Sequence, residues 1–301
     1  MNAYLGYNEG SRTPSAIELG CANPAQPCRL PNAMAGDPPL RQVVTRTWET
    51  GVQGALPGGA RWHAGLFRAE NADDILFVAA PLRSQFGFFR NFGRTRREGT
   101  ELGWSQASGA WRTALNYSYV RATFESPETL SASANSSNDA ALAGTPGLDG
   151  TIRIRPGDRM PLVPAHQLKA SAGYAFTPAF SMDAQLIAMG MSYARGNENN
   201  LDQPDGVRYL GAGRSPGYAI LNLGARHEVD RSLSLFAQVD NLFDRRYSSG
   251  SLLAATGFDA SGNFAARPLP AVGAAFPLVH ATFQAPGAPR SAWIGARYRW
   301  Q

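Results

Sequence analysis

The last stretch of the chain, Ser291–Gln301, reads SAWIGARYRWQ. Ile294, Ala296, Tyr298 and Trp300 are apolar or aromatic, and Arg297 and Arg299 stand between them. Successive side chains of a strand point to opposite faces, so this segment sets Tyr298 and Trp300 on one side and two guanidinium groups on the other. Two architectures use such a ribbon. A soluble sandwich turns the apolar side inward as its core, and a barrel in lipid turns it outward.

The same alternation runs back through the chain. In AWRTALNYSYV (110–120), Trp111, Thr113, Leu115, Tyr117 and Tyr119 share one face, with Arg112, Asn116 and Ser118 opposite. HQLKASAGYAF (166–176) sets Leu168, Ala170, Ala172, Tyr174 and Phe176 against Gln167, Lys169 and Ser171. GYAILNLGARHEV (217–229) and SLSLFAQVDNLFD (232–244) repeat it, with Leu221, Leu223, Leu235 and Ala237 on the apolar face. Each reads as a strand with one apolar face.

The connections alternate in length. Short turns fall near Pro57, Ser108, Thr177 and Val229. Long polar or Gly/Pro/Ser-rich segments lie at Ser11–Leu40, Ser126–Pro164, Arg195–Pro216 and Ser248–Pro289, and Pro81–Phe88 reads as intermediate. Structureless loops of that length are uncommon inside a compact soluble domain. Short turns at one rim and long loops at the other are the pattern of an outer-membrane barrel. The expected fold is therefore all-β, an antiparallel outer-membrane β-barrel arrangement of about ten strands with short periplasmic turns and long extracellular loops. The aromatic row of the last strand would face lipid, and Arg297 and Arg299 a polar lumen.

Composition agrees. Charged residues are 17% of the 301 residues, below the roughly 25% of an average soluble domain. No run approaches the ~18 apolar residues of a membrane helix. The net charge is +5, yet the arginines are scattered, without a basic block or a nucleic-acid motif, so no nucleic-acid partner is read. The opening MNAYLGYNEGSR has no basic start and no apolar segment of a secretory signal, and reads as the middle of a strand.

Little of the sequence carries reactive chemistry. Cys21 and Cys28, in GCANPAQPC, are the chain's two cysteines. Without a nearby His or Asp they make a poor metal site, and a short-loop disulfide in an oxidising compartment is the expectation. GRSPG (213–217) matches the G-x-S-x-G nucleophile pattern, but Pro216 and a following strand deny it the strand-turn-helix context that chemistry needs. His63, His166, His227 and His280 are far apart in sequence and are read as interfacial or loop residues. No catalytic residue, metal site or cofactor is read. The most suggestive ligand feature is PLRSQFGFFRNFGRTRR (81–97). There Arg83, Arg90, Arg94 and Arg96 with Phe86, Phe88 and Phe89 suit an anionic, aromatic-bearing cargo such as a ferric siderophore. The plainer reading pairs these arginines with lumen carboxylates such as Glu98 and Glu101, or with anionic lipopolysaccharide.

Four segments resemble TonB-dependent outer-membrane receptors, in family order. YNEGSRTPSAIELG (7–20) resembles a mid-barrel segment with Arg-x-Pro and Glu-Leu, and RNFGRTRREGTELGW (90–104) a strand with Asn, Gly and Gly-x-Glu-Leu. FAQVDNLFDRRYSSG (236–250) resembles the Asn-Leu-Phe-Asp hallmark near the family's C-terminus. PGAPRSAWIGARYRW (286–300) resembles the last strand, whose terminal aromatics, here Tyr298 and Trp300, serve as the signal to the barrel assembly machinery. The resemblance implies a barrel of roughly 22 strands around an N-terminal plug. It also implies uptake of a scarce nutrient, most often an iron chelate, driven through TonB. With about ten strands and no plug or TonB-contacting box read here, residues 1–301 are expected to be the C-terminal portion of such a barrel. They would form an open arc that is not transport-competent alone and meets TonB only through the missing N-terminal region. The alternative is a small stand-alone barrel, porin-like or an omptin-like protease. The latter needs paired acids and a His/Asp couple, and Asp73 and Asp74 have no recognisable His partner.

Overall fold

The computed structural model describes residues 1–20, 40–80, 83–264 and 276–300, with backbone alone at 79–80 and 83–86. Along the chain, β1 (Asn2–Arg12) leads through a short helix α1 (Ala16–Gly20) to β2 (Val43–Ala55), β3 (Arg61–Ala80), β4 (Arg83–Ser108) and β5 (Trp111–Phe124). The next loop carries β6 (Glu128–Ser131), helix α2 (Asp139–Leu142) and β7 (Thr151–Ile154) before β8 (His166–Ala175) and β9 (Phe180–Met189). Then come β10 (Ser192–Tyr193), β11 (Tyr209–Leu210) and β12 (Arg214–Ser215), followed by the hairpin of β13 (Tyr218–Glu228) and β14 (Leu233–Asp240). A last loop holds β15 (Ser248–Thr256) and β16 (Val279–Pro286), and β17 (Ser291–Tyr298) ends the sheet.

Ten of these strands form one antiparallel sheet, in the order β1-β2-β3-β4-β5-β8-β9-β13-β14-β17. The sheet is open, with β1 and β17 at its edges. Its register keeps one apolar face throughout: Leu223 is opposite Ala184 on one side and Val239 on the other, and Ala237 is opposite Ile294. In a soluble protein this face would be the core, yet Leu66, Leu102, Leu115, Leu235, Ile294 and Tyr298 are all exposed. They form a lipid-facing band.

Two aromatic belts bound the band. Near the short turns, Trp111 meets Tyr174 at 4.7 Å between ring centroids, Tyr174 meets Phe176 at 4.8 Å, and Phe180 meets His227 at 6.2 Å. Tyr298 and Trp300 contact each other at 4.8 Å at the same rim. At the other edge stand Tyr7 with Trp48 at 4.6 Å, and Tyr119 with His166 at 5.2 Å. Along β5 the belts at Trp111 and Tyr119 are about 26 Å apart at ~3.3 Å per residue, close to the roughly 25 Å band of such barrels once the strand's tilt is allowed for. Not every large ring belongs to lipid. Phe236 and Trp293 contact at 5.4 Å on the opposite, lumen face, the ring of Phe236 lying over Gly295, where a Cβ would clash.

Pro81–Phe88 is not a connection of intermediate length. Ala79 is already opposite Gly87, and Val78 opposite Phe88. β3 and β4, 20 and 26 residues long, therefore rise far beyond the ~10 residues a membrane strand needs. Part-way up, the pleat reverses. Asp73 has φ +55°, costly for a residue with a Cβ. Past it, the Asp74 carboxylate accepts from Thr95 Oγ1 at 2.6 Å and Asn71 Nδ2 at 3.2 Å, side chains that simple alternation would place on the other face. Above this reversal Val78, Phe88 and Phe92 join Ala122 and Phe124 in a buried cluster closed by Leu130, Ile152, Ile154 and Met160. The β6–β7 hairpin thus packs on the inner side of the sheet's extension.

Candidate functional site

The loops on the extracellular rim form a cap, knit by buried asparagines that link the β5–β8 loop to the β9–β13 loop. Asn135 Nδ2 donates to the Gly196 carbonyl at 2.9 Å, and Ser136 N to Asp202 at 2.9 Å. Asn200 accepts from Arg159 N at 2.7 Å and donates to the Arg159 carbonyl at 2.9 Å. Asn138 accepts from Ala141 N at 2.8 Å, capping α2, and donates to Tyr209 Oη at 3.2 Å. Asn135 and Asn138 are fully buried, so these bonds satisfy groups that would otherwise be costly to desolvate. The third loop joins by backbone, Arg195 N to the Ser251 carbonyl at 2.9 Å and Leu253 N to the Arg195 carbonyl at 2.8 Å.

At this junction lies a cavity of about 270 Å³, lined by Phe77, Ser133, Asn135, Arg195, Glu198 and Leu252 among others. The Arg195 guanidinium stands 4.9 Å over the Phe77 ring. Burial pushes the Glu198 carboxyl above its ordinary range, so this acid is held closer to neutrality than a free one. Asp205 shows the opposite balance: burial raises it, but N–H donors of Tyr209, Val207 and Arg208 prevail and lower it. The cavity offers a cation, an aromatic face and amide groups on a pre-ordered frame.

The residues singled out in PLRSQFGFFRNFGRTRR fall into separate environments. Phe88 is buried in the cap's core cluster. Arg90 pairs with Glu128 at 2.8 Å, and Arg96 with Glu125 at 3.0 Å and Glu98 at 3.5 Å. Arg94 is exposed. The side chains of Arg83 and Phe86, like Cys21 and Cys28, lie outside the described residues. Glu98 is not a lumen carboxylate: it is in register with Arg68 and Arg121 on the outward face, whereas Glu101 faces inward, lining a cavity with His63 and Lys169. Arg195 and Phe77 carried no sequence signal, because a loop arginine and a strand-tip phenylalanine more than a hundred residues apart meet only in the folded cap.

The remaining candidates have structural partners. Ser215 is buried, its hydroxyl 2.9 Å from Ser251 Oγ, and it stands in a two-residue strand. His166 and His227 are in the two aromatic belts, whereas His63 lies against Gly103 on the lumen wall. His280 is 2% exposed and stacks on Tyr209 at 5.7 Å. Burial lowers its pKa from 6.5 to about 4. The unfolded chain then takes up this proton near pH 6.5 and the folded cap only near pH 4, so the cap should lose stability progressively as pH falls through that window. Denaturant titrations of the cap at pH 7 and pH 4.5 check this, and His280→Phe should remove most of the slope.

The motif segments are clamps. Arg12 makes a bidentate pair with buried Glu18, at 2.7 and 3.0 Å, and Ser15 N donates to the same carboxylate. Asn91 Nδ2 donates to the carbonyls of Arg41 and Asp73 at 2.9 and 2.8 Å. Asn241, at φ +49°, accepts from Arg245 N and donates to the carbonyls of Arg245 and Ala288, tying the Asn-Leu-Phe-Asp turn to the entry of β17.

Comparison with known proteins gives a consistent result. A family model described as "TonB dependent receptor-like, beta-barrel" matches residues 1–242. Among solved structures, the copper transporter OprC is similar at TM-score 0.59 and 19% identity, over 98% of this chain and 36% of its own. The ferric yersiniabactin uptake receptor FyuA from Yersinia pestis is similar at TM-score 0.59 and 16% identity, over 98% and 34%. The pyoverdine outer membrane receptor FpvA from Pseudomonas aeruginosa gives TM-score 0.56 and 13% identity, over 99% and 34%. The chain thus spans about a third of the length of the structures it matches. These neighbours are transporters or receptors, not enzymes, and share its fold. With the outward apolar band, the two belts and a family match over most of its length, the chain belongs to the TonB-dependent receptor-like β-barrel family of the bacterial outer membrane.

Proposed function

We propose that residues 1–301 supply the C-terminal portion of the barrel of a receptor that imports a scarce nutrient of the iron–siderophore class, energised through TonB. The observation that carries this reading is the cap cavity, where Arg195 lies over Phe77 beside Asn135. A guanidinium on an aromatic platform suits an anionic chelate with aromatic arms, which it can meet by charge-assisted hydrogen bonds and stacking. Arg94, at the rim, and Arg83 and Phe86 are further candidates for cargo contact. In this reading β1 and β17 pair with other strands of the same receptor, since unpaired backbone edges are not viable in hydrocarbon. An arc of this kind would not transport alone, and TonB would act on a region outside it. Tyr298 and Trp300 would be read by the assembly machinery, and Cys21 and Cys28 would form a loop disulfide.

Uptake of radiolabelled ferric chelates by iron-starved cells carrying the intact receptor tests the cargo. Arg195→Gln should lower uptake by about tenfold, the order expected from losing one charge-assisted contact of ~1.5 kcal/mol. Copper uptake should not change. A receptor deletion that spares every ferric chelate but abolishes copper accumulation would replace the iron reading with a copper one.

A further inference from the structure

The segment Arg195–Glu198 reads RGNE and sets a cation and an acid three residues apart. Both line the cap cavity, yet they do not close on each other. The backbone between them is pinned. Arg195 is held on both sides by Ser251 and Leu253, the Gly196 carbonyl accepts from Asn135 Nδ2 at 2.9 Å, and Asn197 N donates to the Ala194 carbonyl at 3.0 Å. Gly196 has φ +95°, and a Cβ there would stand 3.0 Å from Leu253 Cβ, so the turn calls for glycine. On this frame the Arg195 guanidinium goes to Phe77 and has no carboxylate within ion-pair distance among the described residues. Glu198 turns back on the chain, its Oε1 accepting from Gly196 N at 2.9 Å. Its other oxygen accepts from no protein group and is not sealed from solvent, so it opens on the cavity that Glu198 lines. The rest of the lining, such as Phe77, Ser133, Asn135 and Leu252, brings apolar, hydroxyl and amide groups and no charge.

We propose that Glu198 is a specificity-determining residue of this cavity, selecting chelates that carry an ammonium group beside an anionic aromatic arm. The inference rests on the cavity being the cargo site. Charge balance is the first argument. A pocket built for any polyanion has no use for an acid, and Glu198, buried without a cation of its own, is held above the ordinary carboxylate range. An ammonium on the ligand supplies the missing counter-charge, while the anionic arm takes Arg195 and the Phe77 ring. Size is the second argument: about 270 Å³ admits one arm and a neighbouring amine but not a complete chelate. Rigidity is the third. Both heads spring from one pinned turn, so their separation is set before the ligand arrives. A ligand with the arm alone leaves the acid uncompensated, and a site with an unmet polar group discriminates against the analogue that lacks its partner. The duller role for Glu198 is to cap the Gly196 N–H, which a glutamine does equally well.

The test uses the intact receptor in detergent and two gallium(III)-loaded probes: a tris-catecholate chelator with one primary alkylamine beside its arms, and the same chelator N-acetylated. Calorimetry measures their affinities. The wild type should bind the amine form about tenfold more tightly than the acetylated one. Glu198→Gln should remove that ratio by weakening the amine form alone. Arg195→Gln should weaken both forms to a similar extent and leave the ratio standing. Heat-modifiable migration checks that each variant has folded. If Glu198→Gln does not fold, the wild type answers through pH. The alkylamine stays charged below its pKa of about 10.4, and Glu198, whose pKa is raised, becomes neutral as pH falls, so the preference for the amine form should shrink between pH 7.5 and pH 5. Equal affinities for the two probes in the wild type, an equal loss of both in Glu198→Gln, or a preference that does not change with pH would overturn the assignment and leave the iron reading in place. Binding of neither probe would count against the iron reading itself, and the assignment would fall with it.

Discussion

Phe124→Ala should loosen the extracellular cap by about 3–5 kcal/mol and leave the membrane-embedded strands in place. Phe124 is 1% exposed, its ring lies 5.0 Å from that of Phe92, and the two are closed over by Ile152 and Ile154 of the β6–β7 hairpin. Truncation leaves a void that two neighbouring strands, held by the sheet's ladder, cannot collapse to fill. The cost falls on the hairpin because its other attachments are polar, whereas β4 and β5 remain in register from Thr95 with Phe124 to Ser108 with Trp111. Amide exchange resolves the two regions. Residues 128–165 should exchange far faster in the variant, and β8 and β9 at the wild-type rate. Uniform acceleration across both would mean that cap and barrel unfold together, and the cap would not be a separate unit.

What could be read in the sequence was what period and punctuation encode. The lipid face of β5, β8, β13 and β14 follows from a period of two, and the short turns from Gly, Pro and Asp at Pro57, Ser108, Thr177 and Val229. The cap was not legible, because its order comes from side-chain amides of Asn135, Asn138, Asn197 and Asn200 meeting distant backbone, and an Asn-rich segment reads as loop whether or not it is knit. The surroundings of the candidate residues were not legible for a sharper reason. A single left-handed residue, Asp73, marks the point where the faces of β3 and β4 reverse, so Phe88 enters the core instead of facing outward. Period-two reasoning has no means of placing such a reversal. The family segments were recognisable without their physics: Glu18, Asn91 and Asn241 act as hydrogen-bond clamps, and no pattern of hydrophobicity announces a clamp.

Leu223→Arg should destabilise the barrel by roughly 2–4 kcal/mol, and Gln238→Arg, two residues from the same belt of strands but on the other face, should cost little. Leu223 lies near the middle of β13, between Ala184 of β9 and Val239 of β14. Both neighbours are apolar and short, so a guanidinium there has no acceptor within the band and must stretch toward the headgroups or draw water inward. Gln238 faces the lumen, where its amide already donates to Asp240 at 2.6 Å. An arginine at 238 keeps that carboxylate as a partner in a polar environment. The two substitutions introduce the same charge at nearly the same height, so the difference between them isolates the face. Urea titrations of the intact receptor in lipid, followed by heat-modifiable migration, measure it. Equal penalties would mean that the sheet does not have one face in hydrocarbon and one in water, and the exposed apolar band would then have to be buried against protein instead.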